Sequence, residues 1–192
     1  MKKFIAIAAL LTTLAGCSAS SAVAAEKVEK VSTATDMVGQ GLWNPLSFSS
    51  IILAKKKAII AEKLAANTFH VISVSQQLHK YVNKTWYVFS GNTPQGWDCS
   101  GLVMWYYQQL RITLYHSAYV QKHTRKPHRY SEAKAKIGDI IGFPGHVGIY
   151  VGNGYMIHAP HPGAKTQRIK VTKWAKENWT TDVTYTRIIR TS

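Results

Sequence analysis

Apolar positions recur at helical spacing over residues 49–66, where Ile51, Ile52, Leu53, Ala58, Ile59, Ile60 and Leu64 alternate with Lys55-Lys56-Lys57 and Glu62-Lys63. The spacing predicts an amphipathic helix, with Ser49 or Ser50 as its cap. Such a helix could lie on a membrane or wall surface. The favoured reading is an ordinary helix packed on the domain. Further helices are expected over 71–81 and over 102–110, the second reading Leu102-Val103-Met104-Trp105-Tyr106-Tyr107-Gln108-Gln109-Leu110. Between them, residues 85–89 read as extended and 90–96 as a loop of turn residues. Residues 112–136 read as loop with a short helical piece. From Gly138 the pattern changes to strands, at 139–143, 146–151, 155–159, 168–172 and 183–190, with a turn at 152–154 and a short helix near 173–178. Helices first and strands later predict an α+β fold, with N-terminal helices packed on an antiparallel β-sheet.

The first 25 residues change the picture. Lys2-Lys3 precede an apolar run too short to span a bilayer, which takes about 20 residues. This is the pattern of an export signal. Leu14-Ala15-Gly16-Cys17 is similar to a bacterial lipobox, which would make Cys17 a lipidated N-terminus and a membrane lipid anchor. Ala22-Val23-Ala24 offers ordinary signal cleavage as the alternative. Residues 26–66 then form a tether and the amphipathic helix, and 67–192 the main domain.

Charge adds a partner class. The chain carries 24 Lys and Arg against 9 Asp and Glu, a net charge of +15, spread along its length. A cationic surface attracts nucleic acid, anionic lipid or acidic envelope polymers. Export argues against nucleic acid and for the anionic cell envelope.

The candidate chemistry starts at Cys99. The chain has two cysteines, and the other, Cys17, lies in the leader. Exported cysteines usually pair, so a solitary thiol is either buried and inert or reactive. Cys99 stands at the predicted start of the helix over 102–110, where the helix dipole favours a thiolate. A histidine beside it could take the proton, and a third polar group would orient the imidazole. If residues 152–154 form a three-residue turn, Val151 faces Tyr155 and His146 faces Pro160. His146 and His158 then share one face as diagonal neighbours. That makes His146 the base and His158 the orienter. A one-residue slip would separate them. His116, His123 and His128 read as surface or satisfied core residues. A zinc set of His146, His158, His161 and Asp139 is the weaker rival, with no HExxH sequence to support it. No metal and no cofactor are expected.

These runs together resemble the NlpC-type cell-wall cysteine peptidases. The resemblance rests on Asp98-Cys99-Ser100-Gly101-Leu102-Val103, Gly138-Asp139-Ile140-Ile141-Gly142-Phe143, His146-Val147-Gly148-Ile149-Tyr150-Val151-Gly152-Asn153-Gly154 and Met156-Ile157-His158-Ala159-Pro160. It covers roughly 70–190. It implies a papain-like fold and cleavage of peptidoglycan stem peptides between γ-D-glutamate and diaminopimelate or lysine; separately, a monomer is expected. By resemblance Cys99 is the nucleophile, His146 the base and His158 the third member. Tyr87, twelve residues before Cys99, is similar to the tyrosine of the family's Tyr-x-Trp-Gly-Gly, which serves the oxyanion and substrate region. Asp98 and Ser100 match positions that bind the free amine of a short stem peptide; Asp98 also suits a helix N-cap. Ser90 departs from the first glycine of the Gly-Gly pair, and Leu114-Tyr115-His116-Ser117 stands where Leu-Pro-Arg/His-Ser/Thr is common. A catalytically idle wall-binding module and an amidase or acyltransferase on the same fold are the alternatives.

Overall fold

The structure is a computed structural model and describes residues 45–124 and 132–192. The leader with Cys17, the tether up to residue 44, and His128 lie outside the described residues. The chain divides into two compact units, Met1–Lys55 and Lys56–Ser192. The second holds the candidate site.

One helix stands where two were expected. Helix α1 runs without a break through Pro45–His79. Asn67-Thr68-Phe69-His70, between the two predicted segments, contain neither glycine nor proline, and nothing there ends a helix. Ser49 and Ser50 are therefore inside it rather than capping it. Val71, Val74, Ser75 and Leu78 are buried and dock its C-terminal part on the core. The packed reading fails further up, where Ile59 and Ile60 are 65% and 58% exposed. Lys56, Lys57 and Lys63 interrupt the apolar stripe there, so no face is apolar enough to join the core.

Residues 85–89 make only isolated bridges, Trp86 with Lys165 and Tyr87 with Trp97. The expected loop contains a small hairpin, β1 (Asn92–Thr93) and β2 (Gly96–Trp97). Its buried Trp97 leads into α2, Cys99–Gln109, which starts three residues earlier than the apolar run suggested. Leu102, Val103, Tyr106 and Tyr107 recur at helical spacing and are buried on one face. Helix α3 is Ala118–His123. The sheet follows, with β3 Ile140–Phe143, β4 His146–Gly152, β5 Tyr155–His158, β6 Gln167–Lys170 and β7 Thr184–Thr186. Their order is β6-β5-β4-β3-β7, and every pair is antiparallel. Helix α4, Val171–Glu177, crosses between β6 and β7, so β6 ends before the expected residue 172.

Alternation along the strands builds two cores. Ile140, Val147, Ile149 and Ile157 pack with α2. Ile141, Phe143, Tyr150 and Met156 pack with Val171 and Tyr185 on the other side. The α+β reading, helices on an antiparallel sheet, holds.

Gly101 sets how closely α2 approaches the loop before it. A Cβ there would collide with the Gly91 carbonyl oxygen and stand 3.0 Å from the Asn92 Cα. Both obstacles are backbone, so neither can swing aside. Gly101→Ala should cost about 3 kcal/mol in denaturant unfolding; a loss below about 0.5 kcal/mol would show that the contact is not this close.

Candidate active site

Asp98 organises the start of α2. It is the N-cap residue, in extended conformation. Its Oδ1 accepts hydrogen bonds from the Gly101 N–H (2.7 Å) and the Ser100 hydroxyl (2.8 Å), and lies 2.9 Å from His116 Nε2. Its Oδ2 accepts from the Ser90 N–H (3.0 Å). Burial pushes this carboxyl up, but the bonds from Gly101, His116 and Ser100 outweigh it and hold it below the usual carboxylate range. Ser90 has a φ of 57°, the left-handed region. Glycine would adopt this conformation freely, whereas serine carries a cost of about 1–2 kcal/mol there.

His116 is exposed as a residue, but its imidazole, 26% exposed, contacts Asp98, a role the sequence reading did not give it. That reading also missed Gln121. That fully buried side chain donates from Nε2 to the Ser100 carbonyl (2.9 Å) and the Tyr115 carbonyl (2.8 Å), tying the His116 loop to the first turn of α2. Gln121 stands in a polar, basic stretch of the sequence, which carries no signal of its burial.

Cys99 is buried at the first position of α2. Cys99 shares a core cluster with Val147, the residue after His146 on β4. Burial pushes the thiol up, with the Asp98 carboxylate adding to it, against a lowering by the nearby backbone N–H groups of Val147, Ser100 and Cys99. The expected depression by the helix start is therefore overridden by desolvation, and the resting group is a thiol. No hydrogen bond joins it to His146 in this resting arrangement. Tyr87 is half-buried, and its phenol is raised by burial and then by Cys99 and Asp98, so it stays a hydroxyl donor.

His146 and His158 meet as the diagonal geometry required. His146 Nε2 and His158 Nδ1 are 2.8 Å apart, with the rings nearly perpendicular at 89°. The register Ile149–Ile157 and Tyr150–Met156 is the expected one. The turn is tighter, because a bulge at Val151 sets Gly152 opposite Tyr155. Gly148 leaves room for the contact, since a Cβ there would press to 3.1 Å on the His158 Cβ. Burial pulls His146 down to about 4. It pulls His158 well below its usual value, helped by His146 and His161. Trp174 of α4, absent from the sequence reading, covers both rings at 4.9 and 4.4 Å. His158 is fully buried, and its Nε2 has no partner among the described residues.

The residues of the zinc alternative are spent elsewhere. Asp139 pairs with Arg187 at 2.7 Å, and the exposed His161 ring contacts the Pro162 carbonyl. Among the described residues no group of three or more His, Cys, Asp or Glu could hold a metal ion.

Helices packed on an antiparallel sheet, with a thiol at a helix start and a histidine pair on the sheet, define the class: a papain-like fold. The chain belongs to the NlpC/P60 family, whose sequence pattern matches residues 65–186. It is 36% identical over 111 residues to the Bacillus subtilis bifunctional muramidase/DL-endopeptidase CwlT, covering 53% of this chain and 33% of that protein. It is 36% identical over 105 residues to the probable endopeptidase p60 of Listeria monocytogenes, covering 52% of this chain and 21% of that protein. The structure of NlpC1 from Trichomonas vaginalis matches with a TM-score of 0.52 at 26% identity, over 61% of this chain and 43% of that one. The chain thus spans about a third of the Bacillus relative and about a fifth of the Listeria one.

Both imidazoles are neutral in the fold, whereas in the unfolded chain they take up protons near pH 6.5. Below that pH the unfolded state binds more protons, so stability must fall with pH. The contribution is complete above about 6.5 and is lost as pH drops toward the folded value of His146, about 4. Thermal midpoints should therefore decline between pH 7 and 4.5, and His146→Ala/His158→Asn should flatten that decline. An equal decline in the variant would place the acid sensitivity elsewhere.

Proposed function

We propose that the domain is a cysteine endopeptidase of peptidoglycan stem peptides. The observation that carries the reading is the 2.8 Å contact between His146 Nε2 and His158 Nδ1, at the start of β4, whose Val147 shares a core cluster with Cys99. With Nε2 engaged, Nδ1 of His146 is the nitrogen left to take the thiol proton. Nε2–H then donates to His158 Nδ1, which places the His158 proton on its buried Nε2.

As the proton leaves, the sulfur attacks the scissile carbonyl, and its C=O electrons move onto oxygen. The Cys99 backbone N–H and the Tyr87 hydroxyl serve that oxyanion. Collapse breaks the C–N bond, the imidazolium gives its proton to the leaving amine, and a thioester remains. Water, deprotonated by His146, then releases the acid and restores the thiol. Contacts of this kind often tighten only with substrate bound. His158 orients and Trp174 keeps the pair dry.

The bond is that between γ-D-glutamate and diaminopimelate or lysine, a reading supported by the DL-endopeptidase in the Bacillus relative's name. Asp98 and Ser100 frame the helix start, and a stem-peptide amine reaching Asp98 would have to share it with His116. The leader and the basic surface fit work at the anionic envelope, outside the cytoplasm.

Purified peptidoglycan digested by the protein should release peptides that begin with diaminopimelate or lysine and leave alanyl-D-glutamate on the glycan, identified by mass spectrometry. Cys99→Ala should lower that release by at least about a thousandfold while the fold persists. Unchanged release by Cys99→Ala would sink the thiol mechanism, and products cut at another bond would correct the specificity.

A further inference from the structure

Three aromatic rings stand open on the two segments that bind the Asp98 carboxylate and on the helix that follows the second. Phe89, Tyr115 and Tyr119 are 81%, 79% and 74% exposed. Leaving such rings in water forgoes about 1.5–3 kcal/mol each for a Phe-sized side chain. Their backbones are not loose. Ser90, next to Phe89, donates its N–H to Asp98 Oδ2, and His116, next to Tyr115, contacts Oδ1 of the same carboxylate. The Tyr115 carbonyl is held by Gln121 Nε2 and by the Ser117 N–H. Tyr119 sits on α3, capped by Ser117, with its ring 4.4 Å from that of His123. Held backbones under exposed rings make a surface organised in advance for a ligand.

The stem peptide gives those rings little to hold. Its residues near the proposed cut are small or charged. The glycan strand is different, because a pyranose ring presents a flat array of C–H groups that suits the electron-rich face of an aromatic ring. The reach also agrees. The lactyl link, alanine and glutamate put the sugar about 10 Å from the cut bond, at roughly 3.3–3.6 Å per unit. Phe89 and Tyr115 each immediately precede a residue that contacts Asp98, itself adjacent to Cys99.

We propose that Phe89, Tyr115 and Tyr119 form a stacking platform for an N-acetylated amino sugar of the glycan strand that bears the stem peptide. The domain then selects peptides still attached to glycan, whose alanine nitrogen is acylated and leaves Asp98 to His116 and the helix cap. This rests on the peptidoglycan reading of the site. The test compares kcat/KM for one stem peptide, free and carrying its disaccharide, in the wild type and in Phe89→Ala/Tyr115→Ala. The wild type should prefer the disaccharide form, and the variant should lower that preference by about tenfold, mainly through KM. An unchanged preference, or equal rates on both substrates in the wild type, overturns the platform. Binding of the disaccharide alone to Cys99→Ala, followed by NMR, separates the two claims. If neither peptide is cleaved by the wild type, the catalytic reading falls, and the platform stands or falls on whether the disaccharide shifts resonances of these rings. Tyr119→Ala alone should weaken the same binding, and its failure to do so would remove that ring from the platform.

Discussion

The Asp98 carboxylate is where three parts of the chain are joined. The loop before α2 reaches it through the Ser90 N–H, α2 itself through Ser100 and Gly101, and the loop after α2 through His116. Each bond uses a donor that would otherwise lie half-buried and unpaired, which is costly. Because Cys99 follows Asp98 directly, the position of the thiol depends on this set. The close approach of Gly91 to Gly101 is what lets the set form, since any side chain at 101 would hold the loop away.

The arrangement has an electrostatic consequence. A carboxylate next to a thiol disfavours the thiolate, and burial disfavours it further. The imidazole pair, dried by Trp174, disfavours its own positive charge. The resting site is thus uncharged on both sides. A charged pair forms only as the substrate carbonyl accepts the sulfur, in surroundings where fixed N–H dipoles act strongly. Local sequence favours a reactive thiol through the helix dipole, whereas tertiary burial opposes it, and burial is the larger effect here.

Much of this was legible in the sequence because it rests on short-range rules. Strand alternation and a glycine-rich turn put His146 and His158 on one face, and the observed register agrees at the end that matters. The Asp98 cap and the helix beyond it follow from local propensity. What escaped depends on contacts distant in sequence. His116 is brought to Asp98 from eighteen residues away by a loop that Gln121 fastens. Trp174 arrives on a crossover helix between two strands. The single long α1 was hidden by a different cause: two apolar stretches looked separate, although nothing between them breaks a helix. Exposure of Ile59 and Ile60 likewise could not be read from spacing, because the pattern says where apolar residues lie and not what covers them.

The central claim is that Cys99 and His146 act as one unit although no bond joins them at rest. Alkylation of Cys99 by iodoacetamide, followed by intact mass across pH, tests it most directly. The wild type should react faster than His146→Ala near pH 7, where the thiol needs a base, and the two should converge at alkaline pH, where hydroxide suffices. Superimposable curves across the whole range would contradict the account.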